Sequence, residues 1–208
     1  MTTWVKICGM TNVEDALEAA SLGVDALGFI FAPSPRRVEP SAAREIIRRL
    51  PPGTLKVGVF VNEALEEVRR LVDYCGLHMV QFHGQEPPAY CRQMPMPVIK
   101  ALRVKSRESL QEMEQYAFAS ILLDAWDPQK AGGTGEPFCW QWVLEACPKR
   151  NFILSGGLNP ENVYRAIRQV RPSGVDVCSG VEKTPGKKER AKMHEFIKEV
   201  QKADASTR

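Results

Sequence analysis

Val5-Lys6-Ile7-Cys8, then Asn12 through Gly23, then Ala26-Leu27-Gly28-Phe29-Ile30-Phe31 is the stretch that decides the fold. Its two ends are short, nearly continuous apolar runs, the pattern of a strand buried on both faces. Between them Asn12 can cap a helix that carries Ala16, Leu17 and Ala20, and Gly23 follows as its stop. The stretch therefore reads as strand, helix, strand.

The same unit recurs along the chain. Further strand-like runs are Leu55–Val61, Met79–Phe82, Val98–Leu102, Ile121–Asp124, Asn151–Leu154 and Gly174–Val177. Helical patterns lie between them. One runs from Ala42 to Leu50 after Ser41, and one follows Asn62 through Leu65, Val68 and Leu71 to end near Gly76. A shorter one spans Glu86 to Met94, and another starts at Ser106 with Leu110, Met113 and Tyr116 on its apolar face. Phe138 to Cys147 carries Trp140 and Trp142, read as helix packing. Asn159-Pro160-Glu161 opens a helix through Val163 and Val170, and residues 187–202 form the last. Eight β-then-α units suit either an open doubly wound sheet or a closed barrel. Their number favours a single (βα)8 TIM barrel of parallel strands over residues 1–208. The polar tail from Ala203 to Arg208 is expected to fray.

Composition narrows the function. The chain has 208 residues, enough to bury a core without staples. With 28 basic against 25 acidic residues the net charge is +3, too weak and mixed for a nucleic-acid partner. No run approaches the ~18 apolar residues of a membrane helix. Met1-Thr2-Thr3-Trp4-Val5-Lys6 has no signal-peptide core, so a cytosolic location is expected. The six cysteines form no C-x-x-C pair and read as free thiols. His78, His83 and His194 show no zinc spacing with them. No metal is expected, and the oligomeric state stays open between monomer and homodimer.

In a β/α barrel, chemistry sits at the C-terminal ends of the strands. Those ends carry Cys8-Gly9, Ser34-Pro35-Arg36-Arg37, Gln81-Phe82-His83-Gly84, Asp124, Ser155-Gly156-Gly157 and Asp176-Val177-Cys178-Ser179-Gly180. A Gly132-Gly133-Thr134-Gly135 loop follows Asp124. Gly156, Gly157, Ser179 and Gly180 suit a phosphate, because glycine lets backbone N–H groups approach an anion closely. They suit two tight turns as well. Cys8 can serve as base or nucleophile if its thiol is acidified, or simply as a small buried hydrophobe. Asp124 closes an apolar strand, which requires either a pocket or a capping role. Arg36 and Arg37 lie in a Pro-bracketed loop, where arginine can grip a carboxylate or serve as surface charge. His83 can shuttle a proton or satisfy a hydrogen bond at a strand end. Nothing in the sequence fixes whether Glu182 and Lys183 face the site.

Taken together, Lys6-Ile7-Cys8-Gly9-Met10-Thr11, Ser34-Pro35-Arg36, Gln81-Phe82-His83-Gly84, Leu122-Leu123-Asp124, Ser155-Gly156-Gly157-Leu158-Asn159-Pro160-Glu161-Asn162 and Ser179-Gly180-Val181-Glu182 resemble the phosphoribosylanthranilate isomerase family of tryptophan biosynthesis. The resemblance runs from residue 5 to about 190. It implies an Amadori rearrangement of N-(5-phosphoribosyl)anthranilate by general acid-base catalysis, without a cofactor. It maps the base to Cys8, the acid to Asp124, the carboxylate-binding arginine to Arg36, and the phosphate loops to Gly156, Gly157, Ser179 and Gly180. Both acid and base then need tuned pKa values.

Two departures stand out. Cys178 occupies a place where serine is common and is expected to be inert. Ala32 replaces a bulkier residue and is expected to widen the pocket edge. Two other readings remain: the histidine-pathway Amadori isomerase, whose first-strand base is aspartate and whose halves are similar, and a barrel that binds phosphate without turnover. This chain has Cys8 and no visible half-chain repeat.

Overall fold

The computed structural model describes residues 2–104, 108–124, 140, 143 and 151–206. Eight parallel strands close into a barrel in sequence order. They are β1 Trp4–Cys8, β2 Ala26–Ile30, β3 Leu55–Phe60, β4 Met79–Phe82, β5 Val98–Arg103, β6 Ser120–Asp124, β7 Phe152–Ser155 and β8 Gly174–Val177. β8 pairs with β1 in the register Lys6 to Asp176 and Ile7 to Val177, which closes the ring.

The two buried faces anticipated for each strand have different contents. Val5 and Ile7 of β1 face outward into the large core shared with the helices. Ala26, Val57, Ile99, Ala101, Leu122 and Ile153 fill the barrel interior. Because side chains alternate along a strand, Lys6 and Cys8 share the inner face of β1. Lys6 is fully buried there, and its Nζ donates to Asp176 Oδ1 at 2.8 Å. A buried charge needs such a partner, and one end of this pair lies directly below Cys8.

The outer helices are α1 Val13–Ser21, α2 Pro40–Arg49, α3 Leu65–Cys75, α4 Pro88–Cys91, α5 Val163–Val170 and α6 Arg190–Ala205. Asn12 caps α1 as expected, accepting from the Asp15 N–H. Others differ from the sequence reading. Asn62 caps nothing. It adopts φ 51°, its N–H donates to Glu86 Oε1 and its side chain accepts from the Gln85 N–H. Glu86 also takes Lys100 Nζ at 2.7 Å and the Gly84 N–H, which is why the Glu86–Met94 helix shrinks to α4. Its first residues serve as a tie between loops rather than as a helical turn. Glu108–Tyr116 is a 3-10 helix. The Ser106 start, the Gly132–Gly135 loop and most of Phe138–Cys147, Trp142 included, lie outside the described residues. Trp140 is buried.

The expected fraying of Ala203–Arg208 is corrected as far as Ser206, and residues 207–208 lie outside the described residues. α6 continues to Ala205, Ala203 is fully buried, and Asp204 accepts from both the N–H and hydroxyl of Thr3. Before α6, Lys187-Lys188 pairs antiparallel with Glu182–Thr184, so these become β10 and β9. Among the described residues no helix is long and apolar enough to cross a membrane.

Candidate active site

A cavity of about 240 Å³ opens at the C-terminal mouth of the barrel. Its walls include Cys8, Arg36, Asp124, Gly156, Gly157 and Ser179, six of the seven site residues expected from sequence. The seventh, Gly180, is not part of the wall. It packs against the Leu158 carbonyl, where any Cβ would collide, and so lets the loops after β7 and β8 touch. Gly156 and Gly157 both have positive φ, 85° and 68°. Asn162 braces their turn by donating to the Gly157 carbonyl and accepting from the Asn159 N–H. Arg37 points away and pairs weakly with Glu39 on the surface. Ala32 is buried and does not line the cavity, contrary to the expectation that it widens the edge.

Cys8 is almost completely buried, and its sulfur rests against β2 at Gly28, where a Cβ would come within 2.6 Å of it. Contact with the Cys178 thiol is the strongest influence on Cys8. It outweighs burial, and with help from the Lys6 ammonium it brings the thiol down to about 6. A thiolate is therefore accessible near neutral pH. Burial pulls the Lys6 ammonium down, but Asp176 and Cys8 more than offset this and keep it charged. Cys178 moves the opposite way, pushed up by its contact with Cys8 and by burial.

Asp124 faces this thiol across the mouth. Its Oδ2 lies 3.1 Å from His83 Nε2, and His83 Nδ1 lies 3.2 Å from Gln81 Nε2. An amide nitrogen only donates, so in this arrangement Nδ1 accepts and Nε2–H donates to the carboxylate. Gln81 is buried and its Oε1 has no protein partner among the described residues. Sequence reading left His83 undecided and did not single out Gln81. The only available cue was their i, i+2 spacing on one strand face.

Arg36 is more constrained than its loop suggested. Glu182 grips its Nε and Nη2 at 2.8 to 3.0 Å. Lys188 Nζ and the Gly186 N–H hold Glu182 in turn. Burial pushes the Glu182 carboxyl up, but Arg36 first and then Lys188 outweigh it and keep it ionised. Glu182 thus faces the site from β9, a point the sequence left open.

Reactive side chains converging on a cavity at the C-terminal mouth mark this chain as a β/α-barrel enzyme. Comparison with known proteins narrows that class. Residues 5–199 match the model of the N-(5'phosphoribosyl)anthranilate (PRA) isomerase family, and the chain belongs to that family. A Pelobacter propionicus protein named N-(5'-phosphoribosyl)anthranilate isomerase is 51% identical over 195 residues, 93% of each chain. The phosphoribosyl anthranilate isomerase of Thermotoga maritima superposes with a TM-score of 0.91 at 45% identity, covering 97% of this chain and all of that one. A structure of phosphoribosyl anthranilate isomerase in complex with reduced 1-(o-carboxyphenylamino)-1-deoxyribulose 5-phosphate gives 0.88 at 43% identity, with 97% and 100% coverage.

Proposed function

We propose that the enzyme rearranges N-(5-phosphoribosyl)anthranilate to 1-(2-carboxyphenylamino)-1-deoxyribulose 5-phosphate with Asp124 as acid and Cys8 as base. The observation that carries these roles is the single cavity lined by both residues together with Arg36 and the glycine turns. Asp124 delivers a proton to the ribose ring oxygen while the anthranilate nitrogen pushes the ring open into a protonated Schiff base. His83 Nε2–H, already directed at Asp124, stabilises the carboxylate left behind. Cys8 thiolate then removes the C2′ proton, and the electrons move toward nitrogen to give an enolamine. The Cys8 thiol returns its proton to C1′ and the 2′-hydroxyl proton passes to the Asp124 carboxylate, which gives the ketose and restores both groups.

Binding groups are assigned by their chemistry. Glu182 occupies the Nε and Nη2 edge of Arg36, leaving Nη1 for the anthranilate carboxylate. Gly156, Gly157 and Ser179 line the phosphate cradle with backbone N–H groups and one hydroxyl, and Gly180 lets the two loops that carry them close on each other. The small-molecule substrate is the only partner this site requires.

The assignment is tested with Cys8→Ala and Asp124→Asn. Each is expected to lower kcat by roughly 10² to 10⁴ with little change in KM, the range for loss of a general acid or base. The decay of anthranilate fluorescence reports turnover. Near-normal turnover in either variant sinks the role given to that residue.

A further inference from the structure

Cys178 was expected to be inert, yet it lies beside the sulfur on which the chemistry depends. The β1/β8 register runs Lys6 to Asp176 and Ile7 to Val177, so Cys8, the last residue of β1, and Cys178, the first residue after β8, lie next to each other at the top of that seam. Neighbouring strands lie about 4.8 Å apart, inside the Cα range of a disulfide. Cys8 lies on the inner face of β1 with Lys6, and Cys178 turns toward the same barrel mouth at the start of the loop after β8. Both line the same cavity at the barrel mouth, and their influence on each other is mutual, lowering the Cys8 thiol and raising the Cys178 thiol. Lys188 Nζ lies 3.9 Å from the Cys178 sulfur and provides local positive charge. The other two described cysteines, Cys75 and Cys91, are buried elsewhere.

We propose that Cys8 and Cys178 are an oxidisable thiol pair that a peroxide-class oxidant converts to an intramolecular disulfide, reversibly switching the enzyme off. Cys8 thiolate attacks one peroxide oxygen, the O–O bond breaks, and hydroxide leaves as Cys8 becomes a sulfenic acid. Cys178 sulfur then attacks the Cys8 sulfur. The S–O bond breaks, the S–S bond forms, and the Cys178 proton leaves with the hydroxyl as water. One peroxide is reduced to two waters, and two thiols lose two electrons. The pairing also keeps Cys8 from the irreversible sulfinic state by consuming the sulfenic acid first. Loss of activity on oxidation rests on Cys8 being the base, whereas formation of the link does not.

Purified enzyme is treated with limiting hydrogen peroxide, then assayed and mapped by non-reducing peptide mass spectrometry. The expected result is a peptide pair joining Cys8 to Cys178, loss of turnover in step with that link, and recovery of turnover with dithiothreitol. For Cys178→Ser, each rate is compared with the untreated variant. Under excess peroxide its inactivation is expected to become largely irreversible, because Cys8 without a resolving thiol passes from sulfenic to sulfinic acid. Unlinked Cys8 and Cys178 peptides in inactivated enzyme, or full recovery of Cys178→Ser by dithiothreitol after excess peroxide, would overturn the proposal. A Cys8–Cys178 link with turnover intact would instead overturn the base role of Cys8 and leave the disulfide site standing.

Discussion

At the scale of single residues, the site works by placing fixed charges around one sulfur and one carboxylate. Lys6 is the clearest example. It never reaches the cavity, but its buried ammonium below Cys8 favours the thiolate, while Asp176 keeps the lysine itself charged. Cys8 is lowered from the ordinary thiol range to about 6. A base acts in its deprotonated form, so the sign is fixed. Turnover attributed to Cys8 is full above this value and falls as pH drops through it, by about tenfold per pH unit at the limit. A profile of kcat/KM against pH is therefore expected to bend near 6, not near the 8 to 9 of an unperturbed cysteine. A bend at the higher value would show that the surrounding charges do not act on Cys8 as described.

At the scale of elements, the site depends on loops from distant parts of the chain being held against one another. The loop after β4 is fixed by Glu86, which ties Asn62, Gly84 and Lys100 together and so sets the base of His83. The loop after β8 is fixed twice, by Glu182 on Arg36 and by Gly180 under the Leu158 carbonyl. That second contact leaves no space for a side chain. Gly180→Ala is expected to pry the two glycine turns apart at a cost of about 1–3 kcal/mol, the range for overpacking a close contact. Because the contact lies next to the proposed phosphate cradle, much of that cost is expected to appear as binding. KM is expected to rise roughly tenfold or more, with weaker inhibition by inorganic phosphate and smaller change in kcat. An unchanged KM and unchanged phosphate inhibition would remove Gly180 from the cradle.

At the scale of the whole molecule, the decisive event is closure of β8 onto β1. The Lys6–Asp176 pair sits on that seam, with both side chains buried and Asp176 also taking a hydrogen bond from Ser155. Removing one partner leaves a buried charge without compensation. Lys6→Met is expected to cost about 3–5 kcal/mol in urea unfolding. Lys6→Met combined with Asp176→Leu is expected to recover much of that loss, because two well-packed apolar groups can replace a buried pair. A loss under about 1 kcal/mol in the single variant would mean that water or a neighbour compensates Asp176. The latch between Thr3 and Asp204 works at the same scale, joining the first and last parts of the described chain across the bottom of the barrel.

The strands were legible because burial on both faces leaves a local signature, and all eight fall within a residue or two of their expected runs. The (βα)8 order followed from counting units. Strand ends then placed Cys8, Asp124, Arg36 and the glycine turns at one rim before any contact was known. Helix starts were less legible. Asn62 and Ser41 have capping chemistry, but Asn62 is taken up by Gln85 and the neighbouring Glu86, and α2 begins at Pro40. The architecture and the residues gathered at the strand ends were readable from the chain, because alternation, burial and turn chemistry act over a few residues. How those residues act on one another emerges only in the folded barrel: Cys178 shares a cavity wall with Cys8, His83 donates to Asp124, and Glu182 orients Arg36. Each of these joins positions far apart in the chain or across the barrel mouth. Their energies come from distance and exclusion of water, which exist only once the barrel has closed.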